Sequence, residues 1–295
     1  MQELGKDMSD SKQVSVRRDY SDSRQLSARD FARFSEFIHT ECGIKMPPSK
    51  KTMLEARLQK RLRALALPDY SHYCAYFFSK EGMATELPHL LDVVTTNTTD
   101  FFREPNHFDL LSRNVLPRWL SRHQGRELAV WSAGCSTGEE PYSLAIVLSE
   151  FQLQQPEFRF SILATDISTR VLEHASRAVY AEDKLEKVPK PLHKLHFLRS
   201  KDRSRRLVRV APEVRRLVSF QRLNFMEEFS FKNRMDIIFC RNVMIYFDRP
   251  TQERLLSKFC SHLHQGGHIF IGHSESLTGM QLPLRQLAPT VYERV

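Results

Sequence analysis

Short apolar stretches alternate with helical patterns from residue 125 to the end of the chain, and this alternation restricts the possible folds most strongly. The stretches read LAVWSAG, RFSILATDI, VSFQRLNF, MDIIFC, GGHIFIGH and TVYERV. Because parallel neighbouring strands need long crossover connections, which are usually helices, the alternation predicts a parallel, doubly wound α/β sheet. Residues 185–215 contain two short apolar stretches around a charged turn, so we expect a small β-hairpin insertion there.

The residues before the sheet have a different pattern. Between residues 26 and 94 the apolar residues recur at intervals of three and four, as in Phe31, Phe34 and Ile38, which is typical of amphipathic helices. The sequence therefore predicts a small all-helical domain over residues 26–94 and an α/β domain over residues 95–295. Residues 1–25 are polar, mixed in charge and without the apolar core of a secretory signal, so we expect a flexible tail.

Composition argues against several classes of protein. No run approaches the ~18 apolar residues of a membrane helix, so direct membrane insertion is not expected. The five cysteines are scattered and form no CxxC pair, which favours reduced thiols in a cytoplasmic protein. The twelve histidines form no HExxH pattern, and we assign no metal. The net charge of +9 indicates an anionic partner, which could be a nucleic acid, an acidic protein surface or an anionic membrane.

Ligands of open parallel sheets bind beyond the carboxyl ends of the strands, so the strand endings carry the functional information. The first strand ends in small residues 134–138 followed by Glu139 and Glu140, and the second ends in Asp166. By itself, the loop with its glutamates could be a tight turn into a helix, and Asp166 could be a helix cap. Together they favour a nucleoside, because small residues admit a ligand and a carboxylate can accept both ribose hydroxyls. Two glutamates would repel a diphosphate but suit a cation, as S-adenosylmethionine is.

A third strand ending places Arg241 and Asn242 after a buried strand, where core packing does not explain two polar residues. The segment 95–108, TTNTTDFFREPNHF, crowds further polar groups beside two phenylalanines, namely Asn97, Thr99, Arg103 and Glu104. A solvated loop is the alternative explanation for that segment. In GHSES, Glu275 and its neighbouring serines are expected to form a polar turn that closes the sheet.

Five strings carry a resemblance to a known family: TTNTTDFFRE, VWSAGCSTGEEPYSLA, ATDIS, CRNVMIYFD and GHSESL. They resemble, in order, the signature blocks of the CheR family of chemotaxis receptor methyltransferases. The resemblance implies a Rossmann-like methyltransferase fold that transfers a methyl group from S-adenosylmethionine to glutamate side chains of the receptors, giving methyl esters. The cofactor-binding residues that it implies are Asn97, Thr99, Arg103, Glu140, Asp166, Asn224, Phe225, Cys240 and Arg241. It also implies that Arg103 and Tyr246 lie beside the transferred methyl group.

The resemblance further implies contact with the cytoplasmic helical domain of the receptors. On the helix predicted from about residue 50 to 65, leucines form one stripe and Arg57, Lys60 and Arg63 spread across the other side. A solvated face is the alternative to a docking face. In some relatives the inserted hairpin binds a receptor's C-terminal pentapeptide through a turn containing glycine, but the turn at residues 200–206 has none. We therefore expect weak or absent tethering by that peptide.

Two other activities compete with this prediction. Residues 134–138 match G-x-S-x-G, the nucleophile elbow of α/β-hydrolases, with Ser136 as the nucleophile. The elbow follows the first recognisable strand, however, and two glutamates after it would oppose an oxyanion. A nucleic-acid methyltransferase would suit the positive charge, but the ending CRNVMIYF lacks the Asp/Asn-Pro-Pro-aromatic pattern of base-methylating enzymes. We therefore expect no nucleic-acid partner.

Overall fold

The computed structural model describes residues 25–295, so all of the predicted tail except Gln25 lies outside the described residues. Residues 25–94 form helices only, as the sequence predicts. The four α-helices are α1 (Ala28–Cys42), α2 (Lys51–Ala64), α3 (Tyr70–Phe77) and α4 (Lys80–Val94), and a short 3-10 helix spans Pro48–Lys50. Helix α1 begins after Ser27, whose hydroxyl accepts a hydrogen bond from the Asp30 N–H, and ends at Gly43 with a left-handed φ of 72°.

A seven-stranded sheet occupies most of the remaining chain, together with a smaller sheet. The strands are β1 (Glu127–Ala133), β2 (Arg159–Asp166), β3 (Val179–Ala181), β4 (Phe197–Arg199), β5 (Leu207–Val210), β6 (Val218–Arg222), β7 (Met235–Cys240), β8 (Leu263–Ile271), β9 (Leu284–Ala288) and β10 (Val291–Arg294). The helices among them are α5 (Pro105–Leu110), α6 (Leu116–Arg122), α7 (Glu139–Gln154), α8 (Thr169–Arg177), α9 (Lys190–His196), α10 (Pro212–Arg215) and α11 (Arg249–His262).

The large sheet has the order β6-β2-β1-β7-β8-β10-β9. Its first five strands run parallel, which confirms the doubly wound prediction for that part. Strand β10 runs antiparallel to β8, and β9 runs antiparallel to β10, so the prediction of a wholly parallel sheet is wrong at this end. Only residues 289 and 290 separate β9 from β10, and so short a connection permits only an antiparallel hairpin. The sequence did not predict β9, because this edge strand has no buried residue and hence no clear alternation.

The insertion is larger than the predicted hairpin. Strands β4 and β5 pair antiparallel around residues 200–206, as expected, but β3 pairs with the other side of β5. Strand β3 lies before residue 185, and its three residues are too few to give a periodic signal. The result is a three-stranded sheet beside the main one.

One buried cluster joins the N-terminal helices to a face of the large sheet. It includes Phe34 of α1, Leu58 of α2, Trp131 of β1 and Phe259 of α11, which are all fully buried. The helices therefore pack against the sheet, and the segment after α4 is held over the carboxyl ends of the strands. None of the helices described between residues 25 and 295 is long and apolar enough to cross a membrane.

Candidate functional site

A cavity lies beyond the carboxyl ends of β1, β2 and β7, where the predicted strand endings meet. Its empty volume is about 1160 Å³, including the part open to solvent, which suits a small-molecule ligand. The cavity lining contains nine of the ten predicted cofactor and catalytic residues: Asn97, Thr99, Arg103, Glu140, Asp166, Asn224, Phe225, Arg241 and Tyr246. Cys240 does not line it, because its side chain is fully buried in β7.

The small-residue loop after β1 forms one wall of the cavity. Gly134 has a φ of 85°, and a Cβ atom there would lie 2.5 Å from Cγ2 of Val243. Glycine is therefore required both for the backbone conformation and for the contact between two loops. Ser136 also has a positive φ of 49°, and its hydroxyl donates to the Asn97 carbonyl at 2.9 Å. That bond ties the loop after β1 to the segment after α4.

Asp166 ends β2 and is only 8% exposed. Its Oδ2 accepts the Ser136 N–H at 2.8 Å and its Oδ1 accepts the Ser168 N–H at 3.0 Å. Burial raises the pKa of this carboxyl group, while the backbone donors act in the opposite direction. Ser168, not Asp166, caps α8, since its hydroxyl accepts the Val171 N–H. Each Asp166 oxygen keeps a lone pair for a ligand in the cavity.

The two glutamates at the start of α7 have different surroundings. Glu140 lines the cavity, and its Oε1 accepts the Ser132 hydroxyl at 2.7 Å. Glu139 instead accepts the Thr137 hydroxyl and lies 3.7 Å from the Lys184 ammonium. Burial raises the pKa of Glu139. The expectation that both carboxylates face a cationic ligand is therefore wrong for Glu139, because successive helical residues point about 100° apart.

Arg241 connects the walls of the cavity from beneath. Its Nε donates to Glu140 Oε2 at 2.7 Å, and its Nη1 donates to the Arg103 carbonyl at 2.6 Å. The side chain is buried, and its Cζ lies 5.3 Å from the ring centre of Phe108 and 5.4 Å from that of Phe239. The positive charge of Arg241 is thus partly neutralised by Glu140. Arg241 lines the cavity and also joins the segments that form its walls.

A cluster of potential metal ligands lies beside Arg241. Ligand atoms of Glu104, His107 and His273 are within 4.8 Å of one another. The Arg241 Nη1 atom, however, lies 3.3 Å from His107 Nδ1 and 3.6 Å from Glu104 Oε2. A guanidinium so close opposes a metal cation, so we interpret the cluster as a charge network around Arg241. Burial lowers the pKa of His107 to about 4, which keeps that ring neutral near pH 7.

Arg103 and Tyr246 have few partners of their own. The Arg103 guanidinium donates one hydrogen bond, to the Thr98 carbonyl at 3.1 Å, and forms no ion pair among residues 25–295. Its two neighbours, Phe102 and Glu104, have positive φ values of 51° and 56°. Such backbone strain in non-glycine residues is concentrated at functional sites. Tyr246 is half-buried, and the Lys50 ammonium lies 5.8 Å from its ring centre.

Asn224 and Phe225 lie on the wall nearest the N-terminal helices. Asn224 is buried, and its Nδ2 donates to the Glu41 carbonyl at 2.7 Å. Phe225 packs edge-on against Trp131 and Phe259. The Nδ2 group of Asn224 therefore joins α1 to the segment after β6.

The predicted docking helix contributes to the cavity as well as to the surface. Arg57 donates to the carbonyls of Val94 and Thr95 and to the Thr96 hydroxyl. Burial lowers its pKa. Arg57 therefore anchors a cavity segment and is not a freely exposed cation, whereas Lys60 and Arg63 are exposed. Sequence periodicity could not distinguish Arg57 from Lys60 and Arg63, because it does not show that residues 94–96 pass beside Arg57.

Glu275 is a residue whose role the sequence did not predict. Its turn was expected to be a bland polar closure of the sheet, yet its carboxylate is buried and accepts N–H groups from the loop after β7. The available signal was an acidic residue in the turn that follows β8, whose last three residues are buried.

Ser136 does not have the surroundings of a hydrolase nucleophile. Its backbone is strained, as at a nucleophile elbow, but its hydroxyl is bonded to a main-chain carbonyl and not to a histidine. A serine nucleophile needs an adjacent general base. The geometry therefore does not support the hydrolase alternative.

Comparison with known proteins decides the family. The model for the CheR methyltransferase SAM-binding domain matches residues 97–292, and that for the CheR methyltransferase all-alpha domain matches residues 29–95. The chain belongs to the CheR methyltransferase family. It is thus an S-adenosylmethionine-dependent methyltransferase, which confirms the resemblance drawn from the five strings.

Individual relatives agree with this CheR assignment. Chemotaxis protein methyltransferase 2 of Pseudomonas aeruginosa is 41% identical over 264 residues, covering 89% of this chain and 92% of that protein. A chemotaxis protein methyltransferase of Borreliella burgdorferi is 36% identical, with 90% and 94% covered. Among solved structures, the DszA carbon methyltransferase aligns with a TM-score of 0.35 and 15% identity, covering 82% of this chain and 50% of that one.

Proposed function

We propose that this chain methylates glutamate side chains of chemotaxis receptors, with S-adenosylmethionine as the donor and glutamate methyl esters as the product. One observation carries the proposal: a single cavity combines buried carboxylates with a guanidinium that has no acidic partner among the described residues. Carboxylates suit a cationic donor, and the guanidinium suits an anionic acceptor. The names of the relatives support a chemotaxis role.

The residues present fit S-adenosylmethionine. Asp166 would hold the ribose through its free lone pairs, and Glu140, Asn97 and Thr99 would supply further polar contacts. Gly134 lets the loop after β1 pack directly against Val243, so that both loops can form walls of the same cavity. When bound, the cofactor supplies an electrophilic methyl group on a positively charged sulfur.

Arg103 and Tyr246 would orient the acceptor. A guanidinium forms two parallel hydrogen bonds with a carboxylate and stays charged at any working pH. The Tyr246 hydroxyl would donate another hydrogen bond, or the ring would pack against the reacting group. A glutamate carboxylate with a reference pKa of about 4.3 is already an anion near pH 7. The reaction therefore needs positioning and exclusion of water but no general base.

The receptor would dock on the helical region through exposed cations of α2. We propose that residues 26–94 form the docking domain and residues 95–295 the methyltransferase domain. Lys60 and Arg63 would face acidic receptor helices, while Arg57 holds the cavity segment. The protein would work in the cytoplasm, where those receptor helices lie.

The proposal is tested by incubating the full chain with a panel of receptor cytoplasmic domains and methyl-labelled S-adenosylmethionine. Labelled receptor should release volatile methanol in alkali, because methyl esters hydrolyse there. Receptors with the modified glutamates changed to alanine are the matched controls. An alkali-stable product would refute carboxyl methylation. If the enzyme methylates a small substrate but labels none of the receptors, receptors are not its acceptor.

A further inference from the structure

We propose that Glu275 is a positioning residue for the cofactor, acting through the loop after β7 that lines the cavity. Glu275 does not line the cavity itself. The inference concerns cofactor affinity and does not depend on which acceptor the enzyme methylates.

The Glu275 carboxylate binds the backbone of two strand ends. Its Oε2 accepts the Gly272 N–H at 2.6 Å and the Asn242 N–H at 3.1 Å. Its Oε1 accepts the Met244 N–H at 2.8 Å. These donors follow β8 and β7, so one side chain fixes the end of one strand to the end of its neighbour.

The loop held in this way provides several of the cavity walls. Residues 241–247, except for Met244, line the cavity. Asn242 has a φ of 60°, a left-handed conformation that is costly for a residue with a side chain. Such a conformation persists only when surrounding contacts fix it, and the bond from the Asn242 N–H to Glu275 is one of them.

Close packing gives a second reason to regard the two strand ends as one unit. A Cβ atom on Gly272 would lie 2.5 Å from Asn242 Nδ2 and 2.8 Å from the Asn242 backbone nitrogen. Movement at the Glu275 turn is therefore transmitted directly to Asn242. The loop after β7 has little room to move toward Gly272, and moving away from it would lose this contact.

The carboxylate has no positively charged partner among residues 25–295 and is only 8% exposed. Burial raises its pKa, and the backbone donors oppose that shift. An unpaired buried acid is unfavourable for stability alone, since a neutral residue would avoid the desolvation. Its role is better explained by the need for one group that accepts several N–H bonds at once.

Glutamine has the same shape as glutamate but cannot replace it here. Only one of its terminal atoms is an acceptor, so its NH₂ group would face either the Met244 N–H or the pair from Asn242 and Gly272. Two donors facing each other repel, and the loop must shift. We expect Glu275→Gln to weaken S-adenosylhomocysteine binding at least tenfold, about 1.4 kcal/mol.

The test measures S-adenosylhomocysteine affinity by calorimetry and thermal unfolding on the same samples of the full chain. Ser274→Ala is the matched control, because Ser274 is the exposed neighbour in the same turn. It should retain wild-type affinity. Glu275→Asp keeps two acceptor oxygens on a shorter side chain and should bind more tightly than Glu275→Gln.

The outcomes separate positioning from simple stabilisation. If Glu275→Gln is folded at the assay temperature and binds within twofold of wild type, the proposal is wrong, even if the melting temperature falls. If Glu275→Gln does not fold, Glu275→Asp decides: a loss of threefold or more supports the proposal, and unchanged affinity refutes it.

Discussion

Replacing Arg103 by alanine tests the proposed orientation of the acceptor carboxylate. Within residues 25–295 the guanidinium has only one hydrogen bond, at 3.1 Å to a main-chain carbonyl, so its removal should cost under about 1 kcal/mol of unfolding free energy. In the reacting complex it would form charge-assisted bonds whose loss would cost roughly 1.5–4 kcal/mol in total. At ~1.4 kcal/mol per decade, the expected loss in kcat/KM is about tenfold to a thousandfold.

The assay is initial-rate transfer of labelled methyl groups to receptor, with calorimetry on S-adenosylhomocysteine to separate loss of turnover from loss of cofactor. Arg103→Lys should restore little, because an ammonium cannot reproduce the two-pronged contact. Arg29→Ala, at an exposed position on α1, controls for the loss of one surface arginine. Near-normal kcat/KM in a folded Arg103→Ala variant would refute the role given to this residue.

Further predictions concern the cofactor, the docking helix, the insertion and pH. Asp166→Ala should weaken S-adenosylhomocysteine at least about tenfold in calorimetry, and unchanged affinity in a folded variant would remove it from the site. Reversing the charges of Lys60 and Arg63 should raise the receptor KM about three- to tenfold and leave cofactor affinity unchanged. An unchanged KM would show that the receptor does not dock on these residues. A receptor C-terminal pentapeptide should bind residues 200–206 weakly or not at all, and micromolar affinity by calorimetry would contradict this. The rate should be nearly flat from about pH 6 to 8, whereas dependence on a base titrating near pH 7 would show that a general base is needed.

The sequence predicted those parts of the fold that produce a regular local pattern. Burial of one helix face or of whole strands yielded the helices before residue 95 and the five parallel strands. The antiparallel end of the sheet was missed, because β9 is exposed and has no such pattern. Strand endings identified Asp166 and Arg241, since parallel strands bring their carboxyl ends to one edge.

Contacts between distant parts of the chain were beyond prediction. Nothing near Arg57 indicates that it reaches the backbone of residue 94, and the bond from Asn224 to the Glu41 carbonyl joins positions 183 residues apart. Likewise, Glu275 could be recognised as polar but not as an acceptor for the loop after β7. Such bonds depend on tertiary packing and leave no periodic trace in the sequence.

The N-terminal helices supply part of the wall of the cavity. Cys42 and Ile44 line it directly, and the Lys45 N–H donates to the Tyr246 carbonyl at 2.8 Å. The helical region and the methyltransferase region are consequently not interchangeable modules. A chimaera that takes residues 26–94 from a relative to acquire new receptor specificity must also match the segment around residues 41–46 to its new host. Without that match, the exchange would alter affinity for the methyl donor along with the choice of receptor.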